Sequence, residues 1–321
     1  MSGDRAGGSD VIITAGELLV EFVSLERGCG LQRLATYNGP YPSGAPAIFI
    51  DQAARMGART AIYGGVGQDG FGSILVDRLV RDGVDVRHVA RVEGRSTGTA
   101  FVSYFEDGSR VFVFHLDGTA VDAFDVDGCV ATDEPLTLHV SGSSLGNARL
   151  RRNIAALAQR VLATGGRISV DPNIRPELMR NEDAWAALQD LTNKAHVLMP
   201  SEADLEILAP GSDRRTAIAA FHDAGAEIVA IKMGADGCLV SDGSSVEHLP
   251  GHRVEEVDPT GAGDCFCGAF VALLERGQSP HEAGRVANAA GALSVTRRGP
   301  MEGNPTPGEI ESFLRDRREA G

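Results

Sequence analysis

The sequence predicts an α/β fold with a mostly parallel central sheet, and three observations carry that expectation. Short apolar β-type runs alternate with longer segments of helical periodicity, which implies crossover units. Two β-rich stretches, Leu18–Tyr37 and Thr97–Leu116, interrupt that rhythm. The length of 321 residues with 43% hydrophobic content buries a sizeable core, as one large domain or one domain with a small appendage.

The elements follow in order. MSGDRAGGSD, residues 1–10, reads as a disordered tail before a domain spanning 11–321. Val11–Ala15 is a buried strand, Ala45–Met56 a helix ending at Gly57, Thr60–Tyr63 a strand and Phe71–Val80 a helix. Leu136–Val140, Arg167–Val170, Val197–Met199 and Ile228–Ile231 are further buried strands. Ala148–Leu162, Glu182–Leu191, Arg214–Ala224, Ala262–Arg276 and Pro280–Arg297 are helices between or after them. TGTAFVSYFEDGSRVFVFHL reads as a hairpin turning at Glu106–Ser109. Such insertions form either a small sheet over the active site or an extra edge of the main one.

Composition narrows the function. A formal net charge of −14 disfavours nucleic acid and anionic membrane surfaces as partners. Five scattered cysteines suit a reducing cytoplasm, and Cys265 and Cys267 read as packing residues. No apolar run reaches membrane-spanning length, and the N-terminus lacks the apolar stretch of a signal peptide.

Gly65-Val66-Gly67-Gln68-Asp69-Gly70 matches G-x-G-x-x-G between a strand and a helix, with Asp85 at a ribose-ligand distance downstream. An NAD-binding oxidoreductase is therefore the alternative from another class. A structural turn ranks above it, because a strand and a helix come earlier than the motif. The chain also lacks a Tyr-x-x-x-Lys pair.

VDPTGAGDCFCGAF carries the chemistry. Gly261, Ala262 and Gly263 let successive N–H groups face one point, and a helix starting there adds positive potential. The result is an anion hole for phosphate oxygens, with Asp264 at its edge as a general base for an attacking hydroxyl. The competing view is a first-turn acid beside an ordinary glycine turn.

The stretch Asp258 to Asp264 resembles the D-x-x-G-x-G-D signature of the ribokinase-like (PfkB) carbohydrate kinases, and Phe266, Gly268 and Phe270 continue it. The resemblance covers nearly the whole chain. It implies a ribokinase-like three-layer fold with a small β lid from about 17–37 and 97–117. It also implies ATP, Mg2+ and a small sugar as ligands, possible use of K+, and a possible homodimer through the lid. Gly64–Gly72 resembles the family's N-terminal glycine signature, in a turn near the sugar. Glu17, after Gly16, matches a sugar-contacting turn. Ser43-Gly44-Ala45 matches the substrate turn, with Ser43 replacing a glycine, and Ile48 stands where an Asn is usual. Ser201 and Asp204 resemble N-x-x-E, with Asp204 serving magnesium through water. Lys232, Gly234, Gly237 and Asn288 fall on the nucleotide side. Asp258 and Thr260, with Arg298 and Gly299, correspond to a monovalent-cation region.

The sugar is less defined. Asp171-Pro172-Asn173-Ile174-Arg175 resembles fructokinase-like and 2-keto-3-deoxygluconate kinase-like members, with Arg175 on the phosphoryl group or the substrate. The second hairpin strand has no arginine after the turn apart from Arg110, which argues against a sugar acid. The Pro42–Phe49 turn with the F-x-F-H hairpin, including Phe101 and His115 as sugar contacts, looks more like tagatose or fructose kinases. His115 serves equally well as a packing residue. The expectation is an ATP-dependent ketohexose kinase. The alternatives are a 2-keto-3-deoxygluconate kinase, a nucleoside kinase, or a dead sugar-binding regulator, against which an intact Asp264 counts.

Overall fold

The computed structural model describes residues 11–107, 109–126 and 136–319. The expected tail, Gly108 of the hairpin turn and Cys129 lie outside the described residues. In chain order, the first half holds β1 (Val11–Ala15), β2 (Leu19–Ser24), β3 (Tyr37–Ser43), α1 (Ala45–Arg55), β4 (Thr60–Gly67) and α2 (Gly70–Arg81). It continues with β5 (Val89–Val92), β6 (Gly98–Tyr104), β7 (Arg110–His115), β8 (Leu136–Ser141) and α3 (Ala148–Ala163). The second half holds β9 (Arg167–Asp171), α4 (Glu182–Asn193), β10 (Val197–Leu198), α5 (Glu202–Leu208), α6 (Arg214–Asp223) and β11 (Ile228–Lys232). It ends with β12 (Cys238–Ser241), β13 (Val246–Leu249), α7 (Ala262–Leu274), α8 (Pro280–Ser294) and α9 (Pro307–Glu319).

Among the described residues, nine strands form the main sheet in the order β13-β12-β11-β10-β9-β8-β1-β4-β5. Its pairs are parallel except β11–β12 and β12–β13. Strand alternation sends neighbouring residues to opposite layers: Ile12 joins the core under α1, α2, α7 and α8, and Ile13 joins the core under α3, α4 and α6. Helices on both faces make three layers, as expected of βαβ connections. No helix among the described residues is long and apolar enough to cross a membrane.

A second sheet, in the order β3-β2-β6-β7, stands apart from the first. The β-rich stretches are therefore not an extra edge of the main sheet. Its strand β3 starts at Tyr37, where the expected segment ended, and runs on to Ser43. One face of this sheet meets α2, through contacts such as Phe22 edge-on to Phe71 at 5.7 Å.

Helix α7 is buried along nearly its whole length, between α1 and α8. Cys265 and Cys267 are fully buried, and Cys267 does more than pack, since its Sγ lies 3.6 Å from Lys232 Nζ and 3.5 Å from Asp171 Oδ2; with Cys29 and Cys238 they are free thiols. A helix so enclosed cannot drift, so its N-terminus is a fixed point on which a site can be built.

Candidate active site

Gly261 caps the N-terminus of α7 with φ at 80°, where an L side chain is strained, and a Cβ there would lie 2.6 Å from Pro300 O. The glycine lets the chain enter the helix sharply; Ala262 N donates to Pro259 O at 3.4 Å, and the next N–H groups of the first turn open beside Asp264. Asp264 is 8% exposed. Asn173 Nδ2 donates to its Oδ1 at 3.0 Å, and among the described residues its Oδ2 accepts no hydrogen bond. Burial pushes its pKa up to about 7, Asp171 adds to the rise, and Lys232 and Arg175 oppose it. That value suits a base working near neutral pH.

Distant parts of the chain converge on the cavity that Asp264 lines. Glu17 and Glu21 come from the start of the chain, and Gly44, Ala45 and Ile48 come from the beginning of α1. Arg110, Phe112 and Phe114 project from β7, while Asn173 and Arg175 come from the loop after β9. Thr260 and Gly261 complete it beside Asp264. Glu17 is buried and accepts from the hydroxyls of Ser143, at 2.8 Å, and Ser144. Burial raises its pKa, and those two serines oppose the rise. Glu21 has its pKa pushed up to about 8, chiefly by burial and then by Asp258. Ser43 reaches one of its oxygens at 3.3 Å, and the other, Oε1, has no hydrogen-bond partner among the described residues.

The 171–175 loop works by alternation. Asp171 pairs with Lys232, Asn173 reaches Asp264, and Arg175 lines the cavity. Asn173 adopts φ 37°, a left-handed conformation that Asn tolerates better than most residues. Its side chain also donates to Ser141 Oγ at 3.1 Å. Lys232 is half-buried; loss of solvent opposes its charge, but Asp171, Cys267 and Asp204 together outweigh that and raise its pKa. Its Nζ lies under the helix entry, 3.4 Å from where a Cβ at Gly263 would stand.

Several expected residues sit elsewhere. Phe101 and His115 do not line this cavity. In the β6–β7 register Phe101 faces Val113 and His115 faces Thr99, on the opposite side of the small sheet from Arg110, Phe112 and Phe114. Phe101 stacks on Phe22 at 5.1 Å, with His115 edge-on at 6.2 Å. His115 instead borders a separate hollow with Asp69, Phe71 and Thr97. The discounted Arg110 does line the cavity, so the argument from a missing lid cation fails.

The Gly64–Gly72 stretch does not line the Asp264 cavity either. It forms the end of β4 and the entry to α2, where a Cβ at Gly65 would collide with Ala120 O and one at Gly67 would lie 2.5 Å from Arg95 O. Asp69 caps α2 through Gly72 N at 2.8 Å, and Asp85 is held by Arg87. These glycines answer to packing, which removes the support for a dinucleotide loop.

Asp204 and Ser201 form a capping box at α5. The remaining oxygen of Asp204 accepts from Ile174 N at 2.9 Å, so the carboxylate braces the 171–175 loop. Asn288 is buried and donates to Leu249 O at 3.0 Å. Gly237 is pressed against Leu249 O, whereas Gly234 faces open space. Asp258 is buried and accepts from Thr260 N and Gly299 N, each at 3.0 Å.

Comparison with known proteins finds relatives over most of the chain. The chain is 30% identical to "Probable fructokinase-3" of Arabidopsis thaliana, over 97% of this chain and 93% of that one. It is also 30% identical to a fructokinase of Vibrio alginolyticus, over 85% of this chain and 91% of that one. A ribokinase-like protein from E. coli, solved with ATP and Mg2+, superposes with a TM-score of 0.88 at 40% identity, over 96% of this chain and 99% of that one. The fructokinase of Vibrio cholerae O395, solved with fructose, ADP and calcium, superposes with a TM-score of 0.83 at 28% identity, over 95% and 99%. A pfkB family carbohydrate kinase model matches residues 12–307, nearly the whole span in which the turn at Gly261, the Asp264 cavity and the two sheets lie. The chain belongs to the pfkB family of carbohydrate kinases.

Proposed function

We propose that this ATP-dependent sugar kinase phosphorylates a neutral ketohexose, fructose or tagatose. The observation that carries the reading is that Asp264 and the α7 N-terminus share one cavity with Glu17, Glu21, Arg110 and Arg175. Bound ATP, with its magnesium, supplies the phosphoryl group. Asp264 takes the proton from the attacking hydroxyl through the oxygen that Asn173 leaves free. The first N–H groups of α7 and the ammonium of Lys232 beneath them stabilise negative charge at the helix entry. The small sheet acts as a lid that excludes water.

The charge balance supports a neutral substrate. Three carboxylates, Glu17, Glu21 and Asp264, line the cavity against two guanidinium groups, Arg110 and Arg175. Arg175 counters all three carboxylates, and Arg110 counters Glu21. Both guanidinium groups thus already face carboxyl groups, and the mixture of protonated and ionised carboxyls that burial leaves near neutral pH suits sugar hydroxyls as donors and acceptors. The fructokinase relatives and the fructose-bound neighbour support the same substrate class. A second reading, 2-keto-3-deoxygluconate, has one observation in its favour: Arg110 and Arg175 are in no ion pair among the described residues.

The side chains fit magnesium that arrives on the nucleotide. Among the described residues no group of three or more His, Cys, Asp or Glu could hold a metal ion, and magnesium commonly keeps waters and substrate phosphates as ligands. A fructokinase double mutant from Vibrio cholerae was solved with potassium. Asp258, with three donors on about four lone-pair sites, retains room for one such contact. A homodimer through the lid draws support from its edge strands β3 and β7 and from the exposed Val113.

ADP release measured for fructose, tagatose, 2-keto-3-deoxygluconate and a nucleoside, at fixed magnesium and potassium, tests the reading. A ketohexose is expected to exceed the acid in kcat/KM by about a hundredfold. If the acid is the best substrate, Arg110 and Arg175 form its clamp and the charge argument is wrong.

A further inference from the structure

Tyr104 ends β6 and faces Arg110 in the β6–β7 register. Its hydroxyl donates to Asp258 Oδ1 at 2.8 Å and also hydrogen-bonds Thr260 Oγ1. Those two side chains flank Pro259 in the turn that ends at Gly261, the cap of α7. Asp258 is only 2% exposed, and its carboxylate already joins this turn to Gly299. One hydroxyl from the small sheet therefore reaches the carboxylate that braces the entry to α7. Burial, and then the charge on Asp258, raise the pKa of Tyr104, which keeps the phenol a donor. Tyr41 of β3 makes a second point of rest: a Cβ at Gly299 would lie 2.6 Å from its ring.

Packing alone does not call for this hydroxyl, since a phenylalanine would fill the same volume. Its removal would cost a buried carboxylate one of its donors, and hydrogen bonds to charged groups are the stronger kind. We propose that Tyr104 is a positioning residue whose hydroxyl latches the lowered small sheet to the Asp258–Gly261 turn. Lifting the sheet breaks that bond and loosens the entry to α7, so the anion hole and Asp264 hold working geometry only when the cavity is covered. The latch acts through Asp258 and Thr260, not on the sugar, and its catalytic consequence rests on the kinase reading above. It would couple phosphoryl transfer to closure and suppress transfer to water.

Tyr104→Phe tests this, because it retains the ring. Amide hydrogen exchange on the substrate-free protein reads the latch without reference to any sugar. Exchange is expected to quicken about tenfold in both 98–104 and 258–263, the effect of losing one hydrogen bond to a charged group. In turnover, kcat should fall about tenfold with a raised sugar KM, and more ATP should be cleaved than sugar phosphorylated. Unchanged exchange, or faster exchange in 98–104 alone, overturns the proposal, as does a variant with normal kcat and one ATP cleaved per sugar. A wild type that phosphorylates none of the sugars would sink the kinase reading, while the exchange result would still decide the latch.

Discussion

Asp264 depends on Asn173, which holds one carboxylate oxygen and favours the ionised form. Asn173→Ala should therefore raise the pKa of Asp264 above about 7 and move the acid limb of the kcat/KM profile to higher pH. A loss of about tenfold in kcat should accompany the shift. A fall in kcat without the shift would assign Asn173 to backbone geometry alone. The role of Asn173 was half legible in the sequence, since D-x-N-x-R drew attention to Arg175 but nothing in the letters says which neighbour an Asn reaches. The β7 residues were open to simple alternation: Arg110, Phe112 and Phe114 share one face, and His115 cannot join them. Glu21 gave no signal, because an acid in a strand of a small sheet usually faces water.

At the scale of elements, α7 and its entry turn carry the site. Gly261→Ala places a Cβ 2.6 Å from Pro300 O at a positive φ. Left-handed backbone alone costs an L residue roughly 1–2 kcal/mol. The expected result is a lowered Tm in a thermal melt and a larger loss of kcat than of stability, since the helix entry must shift. An equally active variant would show that the turn tolerates displacement. Closure of the small sheet is tested by sugar alone, which should slow hydrogen exchange across 19–24, 37–43, 98–104 and 110–115. No slowing with a sugar that is phosphorylated would mean that this sheet is not a lid. The apolar central strands and the long helices were legible from periodicity. The hairpin β12–β13 was passed over although Asp242-Gly243 marks its turn. Likewise α5 and α9 begin with the boxes Ser201-x-x-Asp204 and Thr306-x-x-Glu309; α5 has only 7 residues and α9 is mostly charged, so both give little periodic signal.

For the whole molecule, a base buried against α7 has a stability consequence. The folded pKa of Asp264, about 7, exceeds the usual value of 3.8. The folded state thus holds its proton more tightly, and stability falls as pH rises between those values. Asp264→Asn should melt above wild type at pH 8, with the gain fading towards pH 4. A constant difference across that range would deny that the carboxyl titrates in the folded protein. The family and its three layers were legible because the Asp258–Asp264 motif is specific and an alternating rhythm extends over nearly the whole chain. The sugar was not, because it depends on which faces of two distant hairpin strands meet the 171–175 loop. The most direct test of the account is kcat/KM for fructose against pH, in wild type and Asp264→Asn. The account predicts that wild-type activity rises about tenfold per pH unit below about pH 7 and then levels. It also predicts that Asp264→Asn, though folded, loses about two to four orders of magnitude in kcat and loses that limb. A folded Asp264→Asn protein with near-normal turnover and the same pH limb would contradict it.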